Sequence, residues 1–304
     1  MPVTLSLPCF DPVVILESGQ CFRMIAQDAQ TVETVALGRC LRIHPLGAGR
    51  FTFDCDPDTL DSVWRPYFDL DTDYAAVCAA APKADAPLQE AIACMGGLRI
   101  LRQDPWETLC GFILSQRRHI RAIRANMEAL SKAYGEPIEG CARNAFPTAE
   151  RIAAQDEAVL RALGLGYRAP YVLDAARRVA SGQLNLQAIA ALPDEQLFAA
   201  LRTVAGVGVK VADCVMLFAY RRLTRAPVDV WIHRVIDESY GGEAPFAGYG
   251  AYAGIYQQYL FMHRRKLGNS ADPQNAQKAR NAGSTPKIPN ECSKKTATAT
   301  KHEP

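Results

Sequence analysis

Leu201-Arg-Thr-Val-Ala-Gly-Val-Gly-Val-Lys-Val-Ala-Asp-Cys-Val-Met216 is the stretch on which the reading of this chain turns. An apolar pattern of helical period ends at Val204 and a second one starts at Val209. Between them, Gly206-Val207-Gly208 predicts a tight turn whose glycines can take positive φ. The second helix begins at once, so the amides of its first turn have no partner within it. Free amides at the positive end of a helix dipole attract an anion, and glycine lets a phosphate come close to the backbone. No strand precedes the glycines, which excludes the dinucleotide-binding turn that also uses them. Gly-x-Gly alone would suit a capped turn between two core helices. The whole order, apolar-Ala-Gly-Val-Gly-x-Lys-x-Ala-Asp, is far more specific.

Working outward, period-3.6 patterning holds from about Ala84 to Arg265. It predicts helices over 88–95, 105–118, 120–134, 148–154, 157–163, 169–180, 186–192, 194–204, 209–220, 230–238 and 250–264. Residues 81–265 therefore read as an all-α domain. Residues 1–80 read as a separate antiparallel β domain, with strands over 13–16, 31–37, 40–44 and 50–54 between Gly, Pro and Asp turns. The fold class is α+β. Residues 266–304 lose the apolar pattern and read as a disordered basic tail.

Composition sets the outer bounds. The chain has 304 residues, 49% hydrophobic and 22% charged, which predicts globular structure for most of it. The net charge of +2 hides an asymmetry. After His263 there are nine Lys/Arg against three Asp/Glu, which leaves the first 263 residues at 25 against 29, a net −4. Bulk charge therefore makes no case for nucleic acid, and any such case rests on local residues. The ten cysteines, from Cys9 to Cys292, include no CxxC pair and no zinc or iron–sulfur spacing. They predict reduced thiols in an intracellular protein, with no metal and no cofactor. No run of 18 apolar residues occurs, so no membrane partner is expected.

The hairpin pattern is the helix–hairpin–helix signature of DNA-backbone binding without sequence preference, with Gly206, Val207 and Gly208 as the contacting turn. Lys210 then opens the second helix, an unfavourable place for a cation and a natural one for an amine nucleophile. Nineteen residues on, Ala226-Pro-Val-Asp-Val-Trp-Ile232 puts Asp229 at the start of another helix, where its plain role is an N-cap. An amine and a carboxylate beside a DNA-binding hairpin suit attack at C1′ of a nucleoside, with the carboxylate stabilising the cationic sugar.

Here the chain resembles the helix–hairpin–helix DNA glycosylases, in which this Lys and Asp are catalytic. Further stretches resemble the 8-oxoguanine DNA glycosylase branch: Glu17-Ser-Gly-Gln-Cys-Phe-Arg23, Gly97-Leu-Arg-Ile-Leu-Arg-Gln-Asp-Pro-Trp-Glu107, Leu163-Gly-Leu-Gly-Tyr-Arg168 and Tyr252-Ala-Gly-Ile-Tyr-Gln-Gln-Tyr-Leu-Phe261. The missing cysteine cluster separates the chain from the endonuclease III and adenine-glycosylase branches. The lysine separates it from the alkylated-base branch. The resemblance implies a TATA-binding-protein-like antiparallel sheet packed on the helical domain. It also implies a monomeric bifunctional glycosylase and AP lyase, located with the genome, whose partner is duplex DNA containing an oxidised guanine.

Site roles carry over on the same terms. The resemblance implies that the Gly19 carbonyl reads the N7–H that oxidised guanine has and guanine lacks. Cys214 and Phe261 would sandwich the extruded base, and Gln257 would read its pairing edge. Tyr167 and Arg168 match residues that wedge into the gap and hold the opposite cytosine. Arg117, Arg118 and His119 are expected on DNA, though the branch carries asparagine at position 117. It also carries a second cytosine-reading arginine where this chain has Ala122, and a histidine where it has Trp231. A non-catalytic DNA-binding module and a glycosylase for another lesion are the competing readings.

Overall fold

A computed structural model describes residues 1–270, with side chains to 268. The N-terminal part is a five-stranded sheet in the order β1-β5-β4-β3-β2, every neighbouring pair antiparallel. The strands are β1 (Val3–Ser6), β2 (Met24–Ala26), β3 (Val32–Ala36), β4 (Arg39–Gly47) and β5 (Arg50–Phe53). Leu37 and Gly38, both at positive φ, close the β3–β4 hairpin in the two-residue form that suits strand twist. The inner face of the sheet packs an aromatic core of Phe10, Phe51, Phe53, Trp64, Tyr67 and Phe68.

Two expectations for this region are corrected. Residues 13–16 are not a strand but part of helix α1 (Pro12–Glu17). Asp11 caps it, accepting hydrogen bonds from the Val13 and Val14 amides at 2.8 and 3.2 Å, and Pro12 takes the first helical position. Strands β1 and β2 were also missed, being short and defined by their pairing.

The helical part contributes α2 (Ala86–Cys94), α3 (Pro105–Leu114), α4 (Ile120–Tyr134), α5 (Ala169–Ala180), α6 (Asp194–Leu201), α7 (Val209–Phe218), α8 (Val230–Ser239) and α9 (Ala253–Ser270). Several stop short of the expected bounds, and 186–192 yields only the short 3₁₀ turn Ala188–Ala191. Helix α9 runs on to Ser270, so the residues just after 265 are helical rather than the start of a tail. The expected disorder of 271–304 lies outside the described residues. No described helix is long and apolar enough to cross a membrane.

The two parts are wired together by buried charge. Arg23 Nε donates to Glu128 on α4 at 2.9 Å, and its Nη2 donates to the Asn144 carbonyl at 2.5 Å. Arg143 pairs with the same Glu128 and lies 3.6 Å from Glu33 of β3. The connection 97–104 crosses between the cores, with Leu101 N donating to Gln20 Oε1 at 2.8 Å and Gln103 N to the Phe218 carbonyl at 2.9 Å. Eight described cysteines are free thiols. Metal-ligating types do meet once among the described residues, where Glu33, Cys40 and Cys141 lie within 4.8 Å of one another. Arg42 and Arg143 already hold that carboxylate.

Candidate active site

Helices α6 and α7 form the anticipated hairpin. Gly206 has φ +78°, and a Cβ there would stand 2.5 Å from the Tyr171 ring, so both conformation and packing require glycine. Gly208 is extended, at φ −87°, and has open space around it. It departs from the expected positive φ and instead leaves room for a close approach. No side chain caps α7, so its first amides face outward beside exposed Val209. Val207 is buried and anchors the turn.

Lys210 is half-buried on an aromatic floor, its Nζ 5.2 Å from the Phe112 ring centroid, with Phe112 stacked on Phe218. One turn along α7, Cys214 is 3% exposed and close enough to Lys210 for the ammonium charge to act on its thiol. Burial pushes the Cys214 thiol up to about 11, partly offset by the Lys210 charge, so it stays a neutral, soft surface. Asp229 caps α8 as expected: its Oδ1 accepts from Trp231 N at 2.9 Å and Ile232 N at 3.0 Å. Among the described residues nothing donates to its other oxygen, which remains available. Asp229 is close enough for its charge to act on Cys214, so amine, thiol and carboxylate form one group.

On the facing side, Gly19 has φ +73°, and a Cβ there would stand 3.7 Å from Phe261. Two residues more than 240 positions apart in the chain are thus neighbours. The Gly19 carbonyl accepts no hydrogen bond among the described residues. Gln257, 2% exposed, is committed to the fold: its Nε2 donates to the Pro227 carbonyl at 2.9 Å, and its Oε1 accepts from Gln258 at 3.2 Å. Each end of the amide keeps one further hydrogen-bonding position.

The segment 115–119 splits the residues expected on DNA. Arg117 and His119 are exposed, and Arg117 has φ +51°, a conformation asparagine adopts far more readily than arginine. Arg118 turns inward to Asn126 Oδ1 and the Gly164 carbonyl. Arg168, expected to face a base, is 4% exposed. It donates to the Gln116 and Arg117 carbonyls while stacking 4.2 Å from the Tyr167 ring centroid. Those carbonyls lie outside any helix and need donors, which draws the guanidinium in. Tyr167 stays exposed and donates to the same Gln116 carbonyl at 3.2 Å. Sequence reading passed over Arg121, exposed on the first turn of α4 beside Ala122, and also Arg124 and Arg265.

Comparison with known proteins defines the class first. Residues 110–245 match the HhH-GPD superfamily of base excision DNA repair proteins, and residues 3–109 match the 8-oxoguanine DNA glycosylase N-terminal domain. A structure of MBOgg1 in complex with a low-affinity DNA ligand superposes with TM-score 0.84 at 34% identity, covering 88% of this chain and 96% of that one. The chain belongs to the 8-oxoguanine DNA glycosylase family. The Clostridium acetobutylicum 8-oxoguanine glycosylase/lyase, bound to duplex DNA with cytosine opposite 8-oxoguanine, gives TM-score 0.81 at 28% identity over 88% of this chain and 98% of that one. The N-glycosylase/DNA lyase of Saccharomyces cerevisiae is 35% identical over 206 residues, 62% of this chain. That match spans only 54% of the yeast protein's length.

Proposed function

We propose that this chain is a bifunctional DNA glycosylase and AP lyase that excises 8-oxoguanine from duplex DNA in base excision repair. The observation that carries the reading is the meeting of Lys210, Cys214 and the open oxygen of Asp229 at the mouth of an uncapped hairpin helix. The hairpin amides hold a phosphate, and the extruded base lies between Cys214 and Phe261 with its N7–H on the Gly19 carbonyl. The Lys210 amine, as free base, adds to C1′ while the C1′–N9 bonding pair leaves with the base. Asp229 stabilises the positive charge on the sugar as that bond stretches. The ring then opens to a Schiff base, and loss of a C2′ proton expels the 3′ phosphate. Undamaged guanine has no N7–H, so it would leave the Gly19 acceptor unpaired and is disfavoured.

The decisive experiment is borohydride trapping on duplexes carrying 8-oxoguanine opposite each of the four bases. A trapped adduct with 8-oxoguanine duplex and none with undamaged duplex is expected, whereas no adduct with any of them overturns the reading. The same experiment tests a prediction about the opposite base. Ala122 has no donor, and Arg168 spends its donors on Gln116 and Arg117. Losing one charge-assisted hydrogen bond removes about 1.5–3 kcal/mol of preference. Excision opposite A, G and T should therefore fall within about a hundredfold of excision opposite C. A ten-thousandfold preference for C, on the order of 5 kcal/mol, would show that another residue here reads cytosine.

Base stacking gives a second check. Phe261→Ala removes one face of the base pocket, worth about 1–3 kcal/mol per base in comparable contacts. Affinity for lesion-containing duplex should drop far more than affinity for undamaged duplex. Equal losses on both would leave Phe261 a packing residue only.

A further inference from the structure

Helix α1 ends immediately before Gly19, and its last carbonyls are accounted for one by one. The Ile15 carbonyl accepts from the Ser18 amide at 3.1 Å and the Ser18 hydroxyl at 2.6 Å. The Leu16 carbonyl accepts from Arg124 Nη2 on α4 at 2.6 Å, and the Glu17 carbonyl from Arg265 Nη1 on α9 at 2.7 Å. Two guanidinium groups thus sit at the negative end of the α1 dipole, where cations are favoured. Beyond Gly19, buried Gln20 is locked to the 97–104 connection through Arg99 O, Leu101 N and Gln103 Nε2, at 2.8, 2.8 and 2.7 Å. The Ile15, Leu16, Glu17 and Gln20 carbonyls are thus held in place. Between them, the Ser18 and Gly19 carbonyls accept no hydrogen bond among the described residues, and Gly19 is the one of the two that lies beside Phe261.

Arg265 does more than complete the cap. Its guanidinium lies 5.3 Å from the Phe261 ring centroid, and Nη1 lies 3.7 Å from the Cβ position of Gly19. It is also close enough to Asp229 for that carboxylate to act on its charge. Phe261 and Arg265 are four residues apart on α9, so they share one helix face. One side chain therefore ties the ring to the loop that carries the carbonyl.

We propose that Arg265 is a positioning residue that sets the Gly19 carbonyl against Phe261, and so governs reading of the damaged base rather than the chemistry at C1′. This rests on the reading of the site as an 8-oxoguanine glycosylase. Arg124 supports the same helix end from α4, but it does not touch the pocket ring.

The two half-reactions separate the alternatives, because an abasic site offers no base to read. Single-turnover excision of 8-oxoguanine and nicking of a pre-formed abasic duplex are measured on wild type, Arg265→Ala and Arg265→Lys. A misplacement on the order of 1 Å at a recognition group costs up to about a hundredfold. Arg265→Ala is expected to slow excision at least tenfold, the lower part of that range, and to slow abasic nicking less than threefold. Arg265→Lys keeps a donor within reach of Glu17 and should recover part of the excision rate. Equal slowing of both reactions would mean general damage to the fold and overturn the proposal, as would excision at the wild-type rate. Failure of the wild type to release 8-oxoguanine would instead reject the glycosylase reading itself.

Discussion

Lys210→Ala should abolish the borohydride-trapped adduct and reduce base release by on the order of 10⁴ or more, the scale seen when a covalent nucleophile is removed. Duplex binding should survive, because the contacts proposed for the hairpin are made by backbone amides that the substitution leaves in place. The size of the effect follows from how the amine is held. Its neighbours are the Phe112 ring and the neutral Cys214 thiol, and it opens α7 against the positive end of that helix dipole. Among the described residues no carboxylate lies within ion-pairing distance of it, which leaves its lone pair, once deprotonated, free for attack. An adduct of normal yield in the mutant would remove Lys210 from the chemistry.

Asp229→Asn should slow single-turnover base release by about 10² to 10³, the cost of losing one preorganised electrostatic contact to developing charge. Structure isolates that loss well. Oδ1 is occupied with the Trp231 and Ile232 amides, and asparagine caps helices about as well as aspartate. The mutant should therefore melt at nearly the wild-type temperature while reacting slowly. A mutant that reacts at the wild-type rate would confine Asp229 to its helix cap, and one that melts well below wild type would leave the loss unassigned to chemistry.

These two positions were legible because a glycine hairpin, a lysine at a helix start and a Pro-Val-Asp each leave a local mark. Where the marks were weak, the reading slipped. The apolar run at 13–16 fits strand or helix equally, and the capping pair Asp11-Pro12 that decides for helix was given too little weight. Strand β1 exists through its pairing with β5, some 45 residues away, and a three-residue strand such as β2 carries no period to detect. Arg168 was pictured reaching outward, but the bare carbonyls of Gln116 and Arg117 claim its donors. No local pattern announces such a demand, since it arises when a loop from one part of the chain lands beside a helix from another. Arg265 was read as the last residue of the helical domain and given no role there. Its reach to the Glu17 carbonyl and Gly19 joins positions some 248 apart in the chain, which no local pattern announces.

On the proposed function, the uncapped start of α7 bears on how the protein searches duplex DNA. Phosphate affinity built from lysine and arginine displaces condensed counterions and weakens steeply as salt rises. A phosphate seated on the neutral amides after Gly206-Val207-Gly208, as proposed, meets dipoles instead, and residues 1–270 carry 28 Lys/Arg against 29 Asp/Glu, a net −1. Fewer ions are shed for each such contact. On the proposed function, the hairpin's share of the hold on undamaged duplex should therefore depend only weakly on ionic strength, which favours brief visits during a search for rare lesions.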